Sequence, residues 1–279
     1  MKLARLGLPG QEKPAVVDIN GNYRDLSPVI PDINGSTLSD MSWASNLNLS
    51  LLNIIPPDTR IGPCVGNIGK LICVGLNYSD HAEETGNPIP NEPILFGKAT
   101  SAIIGPYDTV VIPRGSTKTD WEVELGVVIG KEASYVEEAN ALEHVAGYCI
   151  VNDISEREFQ IEKGGQWIKG KSCDTFAPIG PWLVTKDEII DPQQLKMWLE
   201  VDGKRFQDGS TKTMIFNVPT LVSYISQFMS LQPGDVIPTG TPPGVGLGQK
   251  PQIYLKPGQT MRLGIEGLGE QEQIVEQCA

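Results

Sequence analysis

The sequence predicts an α+β fold dominated by β-sheet, on three observations. Short apolar runs bounded by turn residues far outnumber helical patterns. Strands and helices do not alternate in the manner of a parallel βαβ sheet. The 30 glycines and 22 prolines are spread through all 279 residues, where they punctuate short strands instead of marking a disordered tract. A chain of this length holds one large domain, or one large and one small.

Taken in order, residues 1–65 carry short strand patterns at Lys2–Leu6 and Ala15–Asp18, the Asn20-Gly21 turn signal and a polar stretch from Asn34 to Leu49. Pro56-Pro57 and Ile61-Gly62-Pro63 read as a linker. This segment is expected to be a small N-terminal domain or arm, and residues 66–279 the main domain. Leu71–Leu76 is a short apolar strand running into Asn77-Tyr78-Ser79-Asp80-His81, and Trp121–Ile129 is a second strand, rich in β-branched residues. Ser134–Val145 reads as a helix, with Ser134 and Glu137 at capping-box spacing. Gly147–Asn152 is a buried strand ending at Asp153, and Ser155 with Glu158 repeats the capping-box spacing, which predicts a short helix. Met197–Val201 and Lys204–Gln207 flank an Asp202-Gly203 turn and form a hairpin. Asn217–Met229 is an amphipathic helix, and Asp235–Thr239 and Tyr254–Ile265 are late strands, the second interrupted at Pro257-Gly258.

The net charge of −12 argues against a nucleic-acid-binding or anionic membrane surface. It also means that an anionic substrate needs local help from a metal ion or buried bases. The five cysteines are odd in number and contain no Cys-x-x-Cys, which fits neither a disulfide framework nor a thiolate zinc site. The first residues lack the apolar core of a signal peptide, and no run reaches the roughly 20 apolar residues of a membrane span. A cytoplasmic protein is the expectation.

Chemistry concentrates in Trp121-Glu122-Val123-Glu124-Leu125. Side chains alternate along a strand, so Glu122 and Glu124 share one face, with Cβ atoms about 7 Å apart from two rises of roughly 3.3 Å. Both carboxylates can then converge on one hard cation. A solvated strand face is the alternative reading. Asp153, delivered at the end of the next apolar strand, completes a three-carboxylate set, although it also suits an N-cap position. Three acids without histidine favour Mg²⁺ or Mn²⁺ over zinc or copper. Of the two histidines, His144 reads as a helix-end residue. His81 and Glu84, three apart on a short helix, face the same side, where the carboxylate orients the imidazole as a general base; a plain surface turn is the alternative. The nearby Gly86-Asn87-Pro88-Ile89-Pro90 reads as a mobile lid.

Gly165–Ser172 matches the phosphate-binding P-loop pattern in its letters. Its context does not: a charged helical stretch precedes it, and Gly180-Pro181 soon follows it. Lys171 within it remains a candidate cation beside an anionic substrate. The Gly-rich run Thr239–Gly246 reads equally as a carboxylate cradle using the Thr241 hydroxyl and as a tight β-connection.

Five ordered segments together resemble the fumarylacetoacetate hydrolase family: Val74–Glu84, Asp120–Leu125, Val151–Arg157, Gly170–Phe176 and Thr239–Pro242. The resemblance runs from about residue 65 to the C-terminus. It implies a mixed β-roll catalytic domain and a homodimer, with Mg²⁺ or Mn²⁺ held by Glu122, Glu124 and Asp153. It also implies a His81–Glu84 dyad, an active-site Lys171 and a substrate-contacting Thr241; Arg157, Gln160 and Lys98 are weaker candidates for substrate contacts. Cys173 departs from the aromatic residue common at its position, and Pro238 is unusual before the Thr-Gly-Thr-Pro turn. The whole chain is similar to the bacterial subgroup that acts on 2,4-diketo-3-deoxy sugar acids such as 2,4-diketo-3-deoxy-L-fuconate, some members of which are called ureidoglycolate lyases. The expectation is a metal-dependent hydrolase that cleaves the C–C bond of a 2,4-diketo acid to pyruvate and a hydroxy acid, in sugar acid catabolism. Ureidoglycolate lyase or oxaloacetate-type decarboxylase activity is the runner-up, and a nucleotide-binding protein the remote alternative.

Overall fold

The structure is a computed structural model describing residues 1–279. In chain order its strands and α-helices are β1 (Lys2–Leu6), β2 (Lys13–Val17), β3 (Tyr23–Asp25), α1 (Gly35–Ser39), β4 (Leu71–Gly75), α2 (Ser79–Thr85), β5 (Ile94–Lys98), β6 (Ile103–Ile104), β7 (Val110–Ile112), β8 (Thr119–Asp120), β9 (Val123–Ile129), β10 (Val145–Asn152), β11 (Ser155–Glu156), α3 (Ile168–Lys171), β12 (Ala177–Thr185), β13 (Lys196–Val201), β14 (Lys204–Ser210), α4 (Val218–Ile225), β15 (Val236–Pro238), β16 (Thr260–Ile265) and β17 (Gly269–Gln277). The longest α-helix has only 8 residues, so the α+β, sheet-dominated expectation holds.

The large sheet runs β3-β2-β1-β12-β10-β9-β15-β4-β5, with β6 also on β12. A second sheet, β14-β13-β16-β17-β7, packs through β13, β16 and β17 over β9, β10 and β12. Every residue of β9 and β10 is therefore buried, which explains why both read as continuous apolar runs. Residues 1–65 contribute the β1–β3 end of the large sheet, where Leu3 pairs with Leu183, and Leu3, Val16 and Leu26 enter the same core as Val128 and Leu199. The β13–β14 hairpin turns through Asp202 (φ 49°) and Gly203 (φ 75°), the left-handed pair that suits a two-residue turn. No helix is long and apolar enough to cross a membrane.

Several local expectations give way. The segment Ser134–Val145 is not an α-helix: a 3₁₀ helix spans Glu138–His144, without a capping box. Ser155 lies in β11 and donates its hydroxyl to Asp153 O, so it caps nothing; the short helix after it is a π-helical turn at Glu158–Glu162. Helix α4 ends at Ile225, short of Met229, and β16 begins only at Thr260. For Ser134–Val145 the reason is a distant partner: the Tyr135 and Val136 N–H groups donate to Ser226 at the end of α4.

Candidate metal centre and active site

Strands β9 and β10 are antiparallel, with Val151 opposite Glu124 and Asn152 opposite Val123. Just beyond the ladder, Asp153 N–H donates to Glu122 O at 2.9 Å, and Glu122 N–H donates to Asn152 Oδ1 at 3.3 Å. These bonds keep the two strand ends level. Strand alternation then sends Glu122 and Glu124 to one side, and Asp153 joins them from β10. One oxygen of each lies within 4.8 Å of the others, and all three residues are buried.

Three buried carboxylates require compensation. Lys171 Nζ donates to Glu122 at 2.6 Å and to Asp153 at 2.7 Å; Lys98 Nζ donates to the other oxygen of Asp153 at 2.5 Å. Arg157 donates to Glu122 at 2.7 Å and through Nε to Asp120 at 2.8 Å. Burial pushes Glu122 up, but Lys171 and Arg157 outweigh it and hold the carboxyl below the usual range. Lys171 stays charged, since Asp153 and Glu122 outweigh its own burial. Glu124 differs. It accepts only Gly240 N–H, at 2.9 Å, and no cation touches it. Burial, then Asp153 and Glu122, push its carboxyl well above the usual range. A buried acid with no cationic partner beside two further carboxylates is what a divalent ion would complete. Three oxygen donors without thiolate or imidazole fit Mg²⁺ or Mn²⁺.

On α2, His81 Nδ1 meets Glu84 Oε2 at 3.0 Å. An ionised carboxylate only accepts, so Nδ1 carries the hydrogen and Nε2 is left with its lone pair. The other oxygen of Glu84 accepts Gly244 N–H at 2.9 Å, which fixes the carboxylate from the Gly-rich loop. His81 borders the same cavity, of about 260 Å³, as Glu122, Glu124, Lys171, Arg157 and Thr241. The dyad and the acidic triad, 38 or more residues apart in sequence, therefore reach one space through His81, Glu122 and Glu124.

The remaining candidates sort by geometry. Gln160 lines the cavity; Arg157 can only donate, so Gln160 turns its oxygen to Arg157 Nη1 (3.0 Å), and its NH₂ has no partner in the protein. Thr241 lines it too, but its hydroxyl donates to Val123 O at 2.9 Å and accepts from Gln207 Nε2 at 2.8 Å. With its hydrogen committed, that hydroxyl has none left for a substrate carboxylate, and the cradle reading falls to the backbone N–H groups of the run. Lys98 is a second correction as a substrate contact. Its side chain is fully buried between Asp153 and Ile154 O and does not reach the cavity. Lys171 sits on α3 among carboxylates, and a π-helical turn precedes Gly165, so the P-loop-like letters do not build a phosphate loop.

Three contributors escaped the sequence reading. Asp120 is wholly buried and accepts from Arg157, Gly246 N–H (2.6 Å) and Leu247 N–H (2.9 Å), tying Arg157 to the Gly-rich loop. Gln207, on the hairpin, grips both Val123 and Thr241. Trp167 walls the cavity and lies against Gly75, where a Cβ would stand 2.5 Å from its ring. Only Asp120 had a signal, as an acid at the mouth of an apolar strand that is buried on both sides.

The comparisons with known proteins agree with this geometry. Residues 70–276 match the model of the fumarylacetoacetate (FAA) hydrolase C-terminal family. A Burkholderia multivorans protein, provisionally named a hydrolase, is 61% identical over 277 residues, covering 98% of each chain. The fumarylacetoacetate hydrolase of psychrophilic Exiguobacterium antarcticum superposes over the full length of both chains with a TM-score of 0.89 at 34% identity. Maleylpyruvate hydrolase from Sphingobium sp. SYK-6, solved with manganese(II) and pyruvate, does so with a TM-score of 0.84 at 29% identity. The β-roll fold, the match along three quarters of the sequence and the near-full-length relatives together place the chain in the fumarylacetoacetate hydrolase family, to which it belongs.

Proposed function

We propose that the protein is a divalent-metal-dependent hydrolase of acylpyruvates, that is, 2,4-diketo acids, and that it releases pyruvate by cleaving the C3–C4 bond. The observation that carries this reading is that His81 of the His81–Glu84 pair and Glu122 and Glu124 of the Glu122–Glu124–Asp153 triad line one cavity. The Sphingobium neighbour's complex with manganese and pyruvate supports both the metal and the product. Glu122, Glu124 and Asp153 would hold Mg²⁺ or Mn²⁺, which supplies Lewis acidity toward the carboxylate and 2-keto end of the substrate.

The chain's own residues supply the rest. His81 Nε2 takes a proton from water as the oxygen attacks the C4 carbonyl, and Glu84 steadies the resulting imidazolium through Nδ1. Lys171 and the free NH₂ of Gln160 face the negative charge that develops on the C4 oxygen. As the C3–C4 bond breaks, C4 leaves as a carboxylic acid, and His81 returns its proton to C3, which becomes the methyl group of pyruvate. Water is consumed and no redox change occurs. The oriented His81–Glu84 pair favours hydrolysis over decarboxylation or lyase chemistry on the same scaffold, because those reactions need no base for water.

The test is pyruvate release from an acylpyruvate, after EDTA treatment and with Mg²⁺ or Mn²⁺ restored. Metal-dependent release at enzymatic rates is expected. No release from protein shown to bind Mn²⁺, together with turnover of oxaloacetate or ureidoglycolate, would sink the hydrolase reading.

A further inference from the structure

Few residues of the cavity wall are charged. Its charged lining residues, besides His81, are Glu122, Glu124, Arg157 and Lys171, and both cations are already paired with carboxylates, Lys171 keeping one ammonium hydrogen. Arg157 uses its nitrogens on Asp120, Glu122 and Gln160, and Lys171 is bonded to Glu122 and Asp153. The remaining wall is largely apolar, with Trp167 and Phe96 in edge contact at 5.3 Å, flanked by Ile94, Ile161, Leu76 and Leu247. The neutral polar groups are Thr85, Asn87, Thr241 and the free NH₂ of Gln160. The outer cleft that continues the cavity past Thr85, Asn87 and Leu247 carries Glu83 and Glu84 against a single Lys250, so it too is acidic on balance.

A charge count points the same way. In the ion-pair network around the triad the carboxylates are Asp120, Glu122, Glu124 and Asp153, against the cations Lys98, Arg157 and Lys171; Glu156, buried next to it on the Ser116 and Thr119 hydroxyls, only adds negative charge. Four negative against three positive leaves one negative charge. A divalent ion turns that to one positive, and one substrate carboxylate restores neutrality. A second carboxylate on the substrate would bury an unmatched charge beside apolar walls.

We propose that the acyl group transferred from C4 is uncharged, an alkyl, aryl or hydroxyalkyl group, and that acylpyruvates bearing a distal carboxylate are excluded. This rests on the acylpyruvate reading above and deepens it. It also separates this chain from a neighbour whose named substrate, maleylpyruvate, carries a second carboxylate.

Two keto acids that cannot be cleaved, 2-oxoheptanoate and 2-oxoheptanedioate, match in length and differ only in the distal carboxylate. Calorimetry on the Mn²⁺-loaded protein should find the monoacid bound about tenfold tighter or more, the scale of an unpaired like charge. Ile161→Lys, at a half-exposed position on the cavity wall, should bring the ratio toward one. Equal affinity, tighter diacid binding or binding of neither acid overturns the proposal. Pyruvate release from butanoylpyruvate and succinylpyruvate, measured in parallel, judges the acylpyruvate reading separately. Cleavage of both at equal rates would leave that reading standing and remove the charge filter.

Discussion

Two polar clusters lie buried beside β10, and they are built differently. Behind β10, Asn152, Gln271 and Gln273 form a neutral amide chain. Gln271 Nε2 donates to Ile150 O (3.0 Å) and Gly180 O (2.9 Å), Gln273 Nε2 donates to Gln271 Oε1 (3.1 Å), and Asn152 Nδ2 donates to Gln273 Oε1 (3.0 Å). The chain completes this network by itself. At the ends of β9 and β10 the cluster is ionic, and Glu124 is left without a cation. A polar network that the protein satisfies internally fixes packing. One left a charge short is poised for something from outside, and that difference marks the site more clearly than burial or polarity does.

The largest effect should follow from removing the unmatched acid. Glu124→Gln keeps the shape and an acceptor for Gly240 N–H while deleting the charge. Activity should fall by more than the roughly 100-fold that loss of a group behind a metal ligand costs. Mn²⁺ binding should be lost by calorimetry, with no loss of metal-free thermal stability. A variant that binds Mn²⁺ normally would erase the distinction between the clusters. Next comes His81→Asn, which removes the base but no triad oxygen. Here kcat should drop by about 10² to 10⁴ while Mn²⁺ affinity stays unchanged, since His81 bonds Glu84 and not the triad.

Much of the ionic cluster was legible in the sequence because it rests on local rules. Alternation put Glu122 and Glu124 on one face, helical spacing put His81 beside Glu84, and Asp153 closed an apolar strand. What stayed hidden depends on pairing across the chain. Lys98 and Lys171 were both recognisable as cations near the site. Only the placement of β5 and α3, which sends Lys98 and Lys171 to different oxygens of Asp153, decides that Lys171 reaches the cavity and Lys98 does not. Thr241 was legible as a residue but not in its hydrogen bonding, because Gln207 comes from a hairpin 34 residues earlier. The amide chain gave no signal: glutamines at alternate positions of β17 read as a solvent face. Gln271 and Gln273 are instead fully buried under the neighbouring sheet.

The same contrast fixes what the amide chain should do when broken. Gln271→Leu strands the carbonyls of Ile150 and Gly180 and one donor of Gln273, and should cost roughly 1–3 kcal/mol of stability. Folded protein should keep its kcat/KM and its Mn²⁺ affinity. Chemical denaturation reads the first and steady-state kinetics the second. Lost activity at unchanged stability would mean that the two clusters work as one.

The smallest effect is a pH dependence, and it follows from the raised carboxyl of Glu124. Above the pKa of an ordinary carboxylate, the metal-free folded protein holds a proton that the unfolded chain has released. Stability of the metal-free protein should therefore fall as pH rises through that window, by at most about 1.4 kcal/mol per pH unit. Glu122 works in the opposite sense: its depressed carboxyl contributes stability that is lost only as pH falls through its low value, outside the window. A divalent ion takes the place of the Glu124 proton, so Mn²⁺ affinity should rise across the same range by up to about tenfold per unit. The thermal stabilisation given by Mn²⁺ should grow with it. Glu124→Gln supplies the control, because its metal-free stability should lose that slope. An Mn²⁺ affinity flat from roughly pH 5 to 8 would mean that Lys98 and Lys171 already keep Glu124 ionised. The ionic cluster would then be as complete as the amide chain behind it.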